Sequence, residues 1–293
     1  MSYTLKQFQT EYPDDATCLD KILEIQYGGH EFDCPGCGVA SKFHRIAKRR
    51  AYACQHCGHH IYPCVGTPFE KSRTPLTSWF FAMYLMTSTR HGVAAKELER
   101  QIGCTYKTAW RMAHELRKLM ASADHNGPLS GWIEADETYI GGKQRGHRKQ
   151  QHSNKTIVFG MVERDGNVRA GPIPNVRKPT LQRAILTNVQ RGSILITDEL
   201  RSYDTLKKDG PYQHYRVNHS AGEYVWETIH TNTIEGYWSR LKTSIRGTHV
   251  HVSGKHLWKY VSEFSFRYNM RKSPELMFGR LVAAFALPRV AES

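Results

Sequence analysis

"WIEADETYI", Trp132 to Ile140, reads as a β-strand with acids inside it. Side chains alternate across a strand, so Asp136 shares a face with Glu134 two residues earlier. An acid at this kind of position is ordinarily a turn or cap residue, so its meaning depends on the strands and helices that come after it in the chain. "KTIVFGMVERDGNVRAGPI", from Lys155, reads as a hairpin turning at Asp165-Gly166. "TLQRAILTNVQ" is helical, and "SILITDEL" is a strand ending at Asp198. "SYDTLKK" reads as a short helix, "HYRVNH" as a possible strand, and "NTIEGYWSRLKTSIRG" as a helix stopped by Gly247. The order β-β-β-α-β-α-β-α describes an α/β domain over 130–250, a mixed sheet flanked by helices. With a hairpin first and a right-handed crossover after it, the strands of Asp136 and Asp198 become neighbours.

A third acid stands in "HTNTIEGYWSRLK", His230 to Lys242. Asn232 and Glu235 have the spacing of a helix cap, Asn232 closing the first turn and Glu235 bonding back to the Asn232 amide. Ile234, Trp238, Leu241 and Ile245 form the apolar stripe of that helix; Asn232, Glu235, Ser239, Lys242 and Arg246 form the stripe beside it. Glu235 is then at the edge of the packed face, where a helix laid on the sheet aims it at the two aspartates. Three hard oxygen ligands with basic residues beside them suit two Mg²⁺ or Mn²⁺ ions and a phosphodiester.

Ahead of this domain the chain changes character twice. Residues 1–30 are a helical lead-in with a possible cap at Asp14 or Asp15. Over 31–66, "CPGCG" and "CQHCG" offer Cys34, Cys37, Cys54 and Cys57, four thiolates for one closed, structural Zn²⁺ site, with a glycine after each pair for the tight turn. Between them "KFHRIAKRRAYAC" suits a basic hairpin, with Arg49 and Arg50 as DNA contacts. Cys18, Cys64 and Cys104 lack partners at that spacing and read as small core residues. Residues 74–122 are helical, beginning with Thr74 as cap and Pro75 in the first turn. Val93, Leu98 and Ile102, then Gly103, then Ala109, Met112, Ala113 and Leu116, give helix, turn, helix. The second of these helices would show Tyr106, Lys107, Thr108 and Arg111 to DNA. "ASADHNGPLSG" is a polar linker, and 251–293 are C-terminal helices, the first with Leu257, Val261, Phe264 and Tyr268 in step.

Bulk composition agrees with a DNA partner. Lys and Arg number 41 against 27 acids, a net +14, and such a field attracts polyanions. No apolar run is long enough to span a membrane and the first residues lack a secretory pattern, so the expectation is a cytoplasmic protein, nucleoid-associated when bound to DNA.

The chain as a whole resembles bacterial insertion-sequence transposases of the DDE superfamily, in the ISXO-like group that carries a zinc ribbon. The resemblance rests on "CPGCG…CQHCG", "ADETYIGGK" (135–143), "ITDEL" (196–200), "HTNTIEGYWSRLK" and "EFSFRYN" (263–269). It implies a ribonuclease H-like catalytic domain, metal-binding acids at Asp136, Asp198 and Glu235, and Lys242 as the basic partner downstream. Some members of the group have Asn rather than Glu at the third position, and this chain offers both Asn232 and Glu235. The implied reaction is water attack at a transposon end, followed by attack of the freed 3′-OH on target DNA, by a protein that is oligomeric on DNA. "GGKQRGHRKQQH" (141–152) would hold the DNA backbone with Lys143, Arg145 and Arg148, and Arg246 would add a further contact. Two other classes are compatible with parts of the chain: a zinc-ribbon regulator without catalysis, and a plain ribonuclease H-type nuclease that never joins ends.

Overall fold

The structure, a computed structural model, describes residues 3–124, 127–141, 155–198, 211–217 and 229–287. The chain divides into two compact units, Met1–Ala123 with Ser273–Ser293, and Asp124–Lys272.

In the first unit, α1 (Leu5–Glu11) opens on a capping box between Thr4 and Gln7, and α2 (Asp15–Tyr27) is capped by Asp14, whose carboxylate accepts from the Thr17 amide at 2.8 Å. An antiparallel sheet comes next: β1 (Glu31–Asp33), β2 (Ala40–Arg45), β3 (Tyr52–Cys54) and β4 (His60–Ile61), ordered as in the chain. The basic hairpin is therefore β2 and β3, paired from Phe43↔Cys54 to Arg45↔Tyr52. Then come α3 (Leu76–Ser88), α4 (Ala95–Ile102) and α5 (Tyr106–Ala123). Gly103, in the left-handed region at φ +72°, ends α4. Ala109, Met112, Ala113, Leu116 and Met120 bury one face of α5 at helical spacing.

The start of α3 differs from expectation. Thr74 is not its cap; Pro75 holds that position without a side-chain bond. Asp15, distant in sequence, instead accepts from the Thr77 amide and hydroxyl, both at 2.9 Å. A proline at the boundary cannot donate an N–H, so the next open amides go to a carboxylate supplied by packing. At the far end of the chain, α9 (Met277–Ala283) returns to this unit, where Phe285 meets Phe69 edge-on at 4.9 Å and Phe278 meets Tyr12 at 5.6 Å.

The second unit holds β5 (Trp132–Ile140), β6 (Thr156–Glu163), β7 (Val168–Ile173), α6 (Lys178–Asn188), β8 (Ile194–Thr197), β9 (Gln213–Arg216), α7 (Asn232–Ser244) and α8 (Gly254–Asn269). Sheet order is β7-β6-β5-β8-β9; the β5, β6 and β7 pairings are antiparallel, and β8 runs parallel to both β5 and β9. This is a mixed sheet flanked by helices, with the Asp136 strand at its centre and the Asp198 strand beside it, as the hairpin and crossover require. Each face carries its own core. Val158, Val162, Ile234, Trp238, Leu241 and Val261 pack on one side, and Ile133, Ala135, Phe159, Leu181, Ile185 and Leu195 on the other. The alternation along β5 is the cause: Ile133 and Ala135 turn toward α6, while Ile140, in step with Glu134 and Asp136, turns toward α7 and α8.

Gly247 does not stop helix α7. After α7 the chain continues as a π-turn over Ile245–His249, and the break comes at Val250, where φ is +61°. Glycine lowers helix propensity but does not forbid a turn, whereas a left-handed residue ends one.

Candidate active site

Asp136 lies opposite Gly160 of β6, and its predecessor Ala135 pairs in parallel with Thr197, the residue before Asp198. The two carboxylates therefore leave adjacent strands side by side. Helix α7 crosses this face, and Trp238 on its apolar stripe donates its indole N–H to Asp136 Oδ2 at 3.0 Å. The ring fits because residue 160 is glycine: a Cβ there would come within 2.6 Å of the indole. Glu235, one turn earlier on α7, is exposed at the edge of that face, and its Oε1 accepts from the Thr231 hydroxyl at 3.1 Å.

The other two acids act on Asp136. The Asp136 carboxyl is pushed up to about 6, first by burial, then by the charge of Asp198, with Glu235 adding; the Glu137 amide and the Trp238 indole pull the other way. Asp198 and Glu235 thus bring negative charge to bear on Asp136, and hard oxygen donors of this kind fit Mg²⁺ or Mn²⁺, although among the described residues the three acids do not close into a cluster as the four cysteines do. Lys242, two turns beyond Glu235, has its ammonium pushed below the ordinary lysine value, first by burial and then by Arg246, with Lys155 adding and Asp136 opposing. It lines a concave surface with Tyr139, Arg246 and His251.

The capping role of Asn232 is overturned. Asn232 is the exposed first residue of α7; Thr231 is in the cap position, and its side chain makes no cap bond. The helix start is closed from the sheet. Glu134, fully buried, accepts from the Thr233 amide at 2.8 Å, the Ile234 amide at 3.1 Å and the Thr233 hydroxyl at 2.9 Å. Arg164 Nε donates to the same carboxylate at 2.9 Å. Sequence reasoning placed Glu134 on the right face but missed this role; it read Trp238 only as part of the apolar stripe, and it missed Gly160 altogether. A signal existed for Gly160: a lone glycine inside "TIVFGMVE" marks a close approach.

In the first unit, ligand atoms of Cys34, Cys37, Cys54 and Cys57 all lie within 4.8 Å of one another, and among the described residues theirs is the one such cluster of His, Cys, Asp or Glu. Cys34 Sγ and Cys57 Sγ are 3.7 Å apart, while a Zn–S bond near 2.3 Å puts tetrahedral sulfurs about 3.8 Å apart. Gly38 and Gly58 both take positive φ, +68° and +75°, and their amides bond back to the Cys34 and Cys54 carbonyls, so each knuckle closes as expected. The Cys54 thiol is lowered to about 6, first by the Ser41 hydroxyl and then, against burial, by the Cys57 and His56 amides, which favours the thiolate that zinc binds.

Two regions of the chain match family models. Residues 13–60 match a transposase zinc-ribbon domain, and residues 128–269, which contain every acid just described, match an ISXO2-like transposase domain. A transposase-like protein of Haemophilus influenzae is 31% identical over 97 residues, 33% of this chain and 76% of that protein. The chain belongs to the ISXO2-like transposase family. A protein in transposable element ISH50 of Halobacterium salinarum is 29% identical over 262 residues, 82% of this chain and 86% of that protein. The four cysteines of this ISXO2-like transposase thus form the structural zinc site of its ribbon. Among the described residues no helix is long and apolar enough to cross a membrane.

The residues expected to meet DNA are distributed unevenly. Arg49 is exposed in the turn after β2, but Arg50 is taken up internally: Nη1 donates to the Ser72 carbonyl at 2.9 Å and Nη2 to the Thr74 carbonyl at 2.6 Å. Arg50 therefore braces the turn ahead of α3 and is half-buried. Tyr106, Lys107 and Arg111 are exposed along the first turns of α5, Thr108 is half-buried beside the Thr105 hydroxyl, and Arg246 is exposed. Lys143, Arg145 and Arg148 lie outside the described residues, as does the short helix expected at "SYDTLKK".

Proposed function

We propose that this transposase cuts DNA at its element ends and joins the freed 3′-OH to target DNA, using Asp136, Asp198 and Glu235 to hold two divalent ions. The observation that carries the reading is the parallel register of β5 and β8, which sets Asp136 beside Asp198 under the helix that bears Glu235. When bound, the ions supply an activated oxygen nucleophile and neutralise charge on the phosphate. The protein supplies the rest. Asp136 is oriented by the Trp238 indole, and the charges of Asp198 and Glu235 bear on its proton. Lys242 and Arg246 offer cations on the side where phosphate oxygens would gather. Arg49, Tyr106, Lys107, Thr108 and Arg111 contact DNA, α4 and α5 serving as a helix-turn-helix, and Asp124–Lys272 is the catalytic unit. The loop residues Lys143, Arg145 and Arg148 belong to the same proposal from sequence alone.

Glu235 is preferred over Asn232 as third ligand because a carboxylate binds Mg²⁺ better than an amide, and because the charge of Glu235 is felt at Asp136. The protein incubated with candidate element ends and Mg²⁺ or Mn²⁺, monitored on strand-resolved gels, tests the reading. Cut ends and joined products are expected, both lost in a folded Glu235→Gln variant. Hydrolysis without joining would make the protein a nuclease, and activity in Glu235→Gln with none in a folded Asn232→Ala would move the third ligand to Asn232.

A further inference from the structure

Glu134 is a buried carboxylate that the reaction does not use, and its surroundings are unusually complete. Of its two oxygens, Oε2 accepts the Thr233 and Ile234 amides at 2.8 and 3.1 Å, and Oε1 accepts the Thr233 hydroxyl and Arg164 Nε, both at 2.9 Å. His230 Nδ1 stands 3.3 Å from Oε1. A carboxylate offers about four lone-pair sites, so these donors fill it. Two of them are open amides at the N-terminus of α7, where a negative charge is also favoured by the helix dipole. Arg164 is held in turn: Nη2 donates to the His230 carbonyl at 3.0 Å, and its guanidinium carbon lies 5.2 Å from the centre of the Trp132 ring.

The location gives this cap a second consequence. Glu134 and Asp136 are successive residues on one face of β5, and Ile234 and Trp238 are one turn apart on α7. Glu134 ties the strand to the helix at residues 233 and 234, and Asp136 is tied to it at Trp238. Glu235 falls between the two ties. A helix pinned at both points cannot slide along or turn on the strand, so the third acid is held where its charge reaches Asp136.

We propose that Glu134 is a positioning residue for the metal-binding acids: by capping α7 from the sheet it sets Glu235 against Asp136 and Asp198. The inference rests on the reading of those three residues as metal ligands. Loss of an outer-shell partner of a metal ligand lowers metal affinity by about 10–100-fold. The full-length Glu134→Gln protein is therefore expected to need at least about tenfold more Mn²⁺ for half-maximal end cleavage, to bind Mn²⁺ more weakly by calorimetry without DNA, and to exchange the amides of residues 233–235 faster. Saturating Mn²⁺ should restore much of the cleavage. Glu134→Asp keeps the charge beside Arg164 but draws the carboxylate back by one methylene, and it carries the test if the glutamine variant does not fold. An unchanged Mn²⁺ requirement, or activity that falls only with the fraction unfolded, would overturn the proposal. A Glu235→Gln control separates the two ideas: if it binds Mn²⁺ like wild type, the ligand assignment has failed, whereas weak binding there with wild-type binding in Glu134→Gln fails the positioning role alone.

Discussion

Asp136 shows how a single residue can carry a cost that the fold accepts. Its carboxyl is raised from the ordinary 3.8 to about 6 by burial and by Asp198. A raised acid binds more protons folded than unfolded, so in metal-free protein its contribution falls as pH rises from about 4 to about 6, and the full penalty persists above that. Asp136→Asn keeps an acceptor for Trp238 but removes the charge. At pH 8 without metal it should melt higher than wild type, with a gain of roughly 1–3 kcal/mol. The gain should vanish below about pH 4, and divalent ions should stabilise wild type alone. Melting curves across pH check this; a variant less stable than wild type at every pH would mean that neighbouring charge does not press on Asp136. The same protein should bind DNA as well as wild type or better, because a negative charge near phosphates has gone, and end-binding titrations measure that. Which polar residues matter was only half legible at this scale. Asp136 stood out as an acid inside a strand, and Asp198 and Glu235 as acids at element ends, but Trp238 read as core and Asn232 as a cap. In the folded chain Trp238 is also a hydrogen-bond donor to the site, and Asn232 is a solvent-exposed first-turn residue.

At the scale of elements, two helices begin on carboxylates borrowed from elsewhere in the chain. Asp15 closes α3 and Glu134 closes α7, each taking both the amide and the hydroxyl of a threonine. Local sequence cannot reveal such caps, since a spacing rule looks only three residues away while the donor to the cap lies 62 or 99 residues off. Helix and strand periods were legible because burial repeats along the element itself: the apolar stripe of α7 and the alternation in β5 both appear as read. Gly160 joins two elements, and Gly160→Ala tests the joint. The added methyl would sit 2.6 Å from a ring carbon of Trp238, so strand or indole must move, at about 1–3 kcal/mol. Lower melting of the Asp124–Lys272 unit and a shifted tryptophan fluorescence spectrum are expected, and an unchanged spectrum with full cleavage would mean that the indole contact is dispensable. Gly103→Ala, which forces a left-handed turn on a residue with a Cβ, should cost about 1 kcal/mol, and should weaken DNA binding without touching the Mn²⁺ requirement. Normal binding in that variant would argue against a reading role for α5.

At the scale of the whole molecule, the unit that holds the acids is one continuous stretch, whereas the ribbon-bearing unit takes in residues from both ends of the chain. A chain cut after Lys272 should keep a cooperatively melting sheet domain but lose the partners of Phe69 and Tyr12 on Phe285 and Phe278. The N-terminal helices should then melt earlier, as circular dichroism of wild type and truncated protein would show; an unaltered transition would mean that α9 adds nothing there. Cys34→Ser should release the zinc and unfold the ribbon while leaving Asp124–Lys272 folded, because the metal supplies much of the folding free energy of so small a module. By itself the sequence determined whatever depends on local spacing: four sulfurs on two tight turns, amphipathic helices, alternating strands, and the strand or helix that each acid sits on. The neighbouring places of the Asp136 and Asp198 strands in the β7-β6-β5-β8-β9 sheet were also legible, because chain connectivity and handedness leave few alternatives. Only the tertiary structure decided what meets across the face of the sheet. Glu134 reaches α7, the Trp238 indole finds room over Gly160, Arg50 turns inward, and the last helix packs with the first unit. The physical reason is that these contacts depend on how elements distant in sequence are laid against one another, and side-chain spacing within a single element contains no record of that.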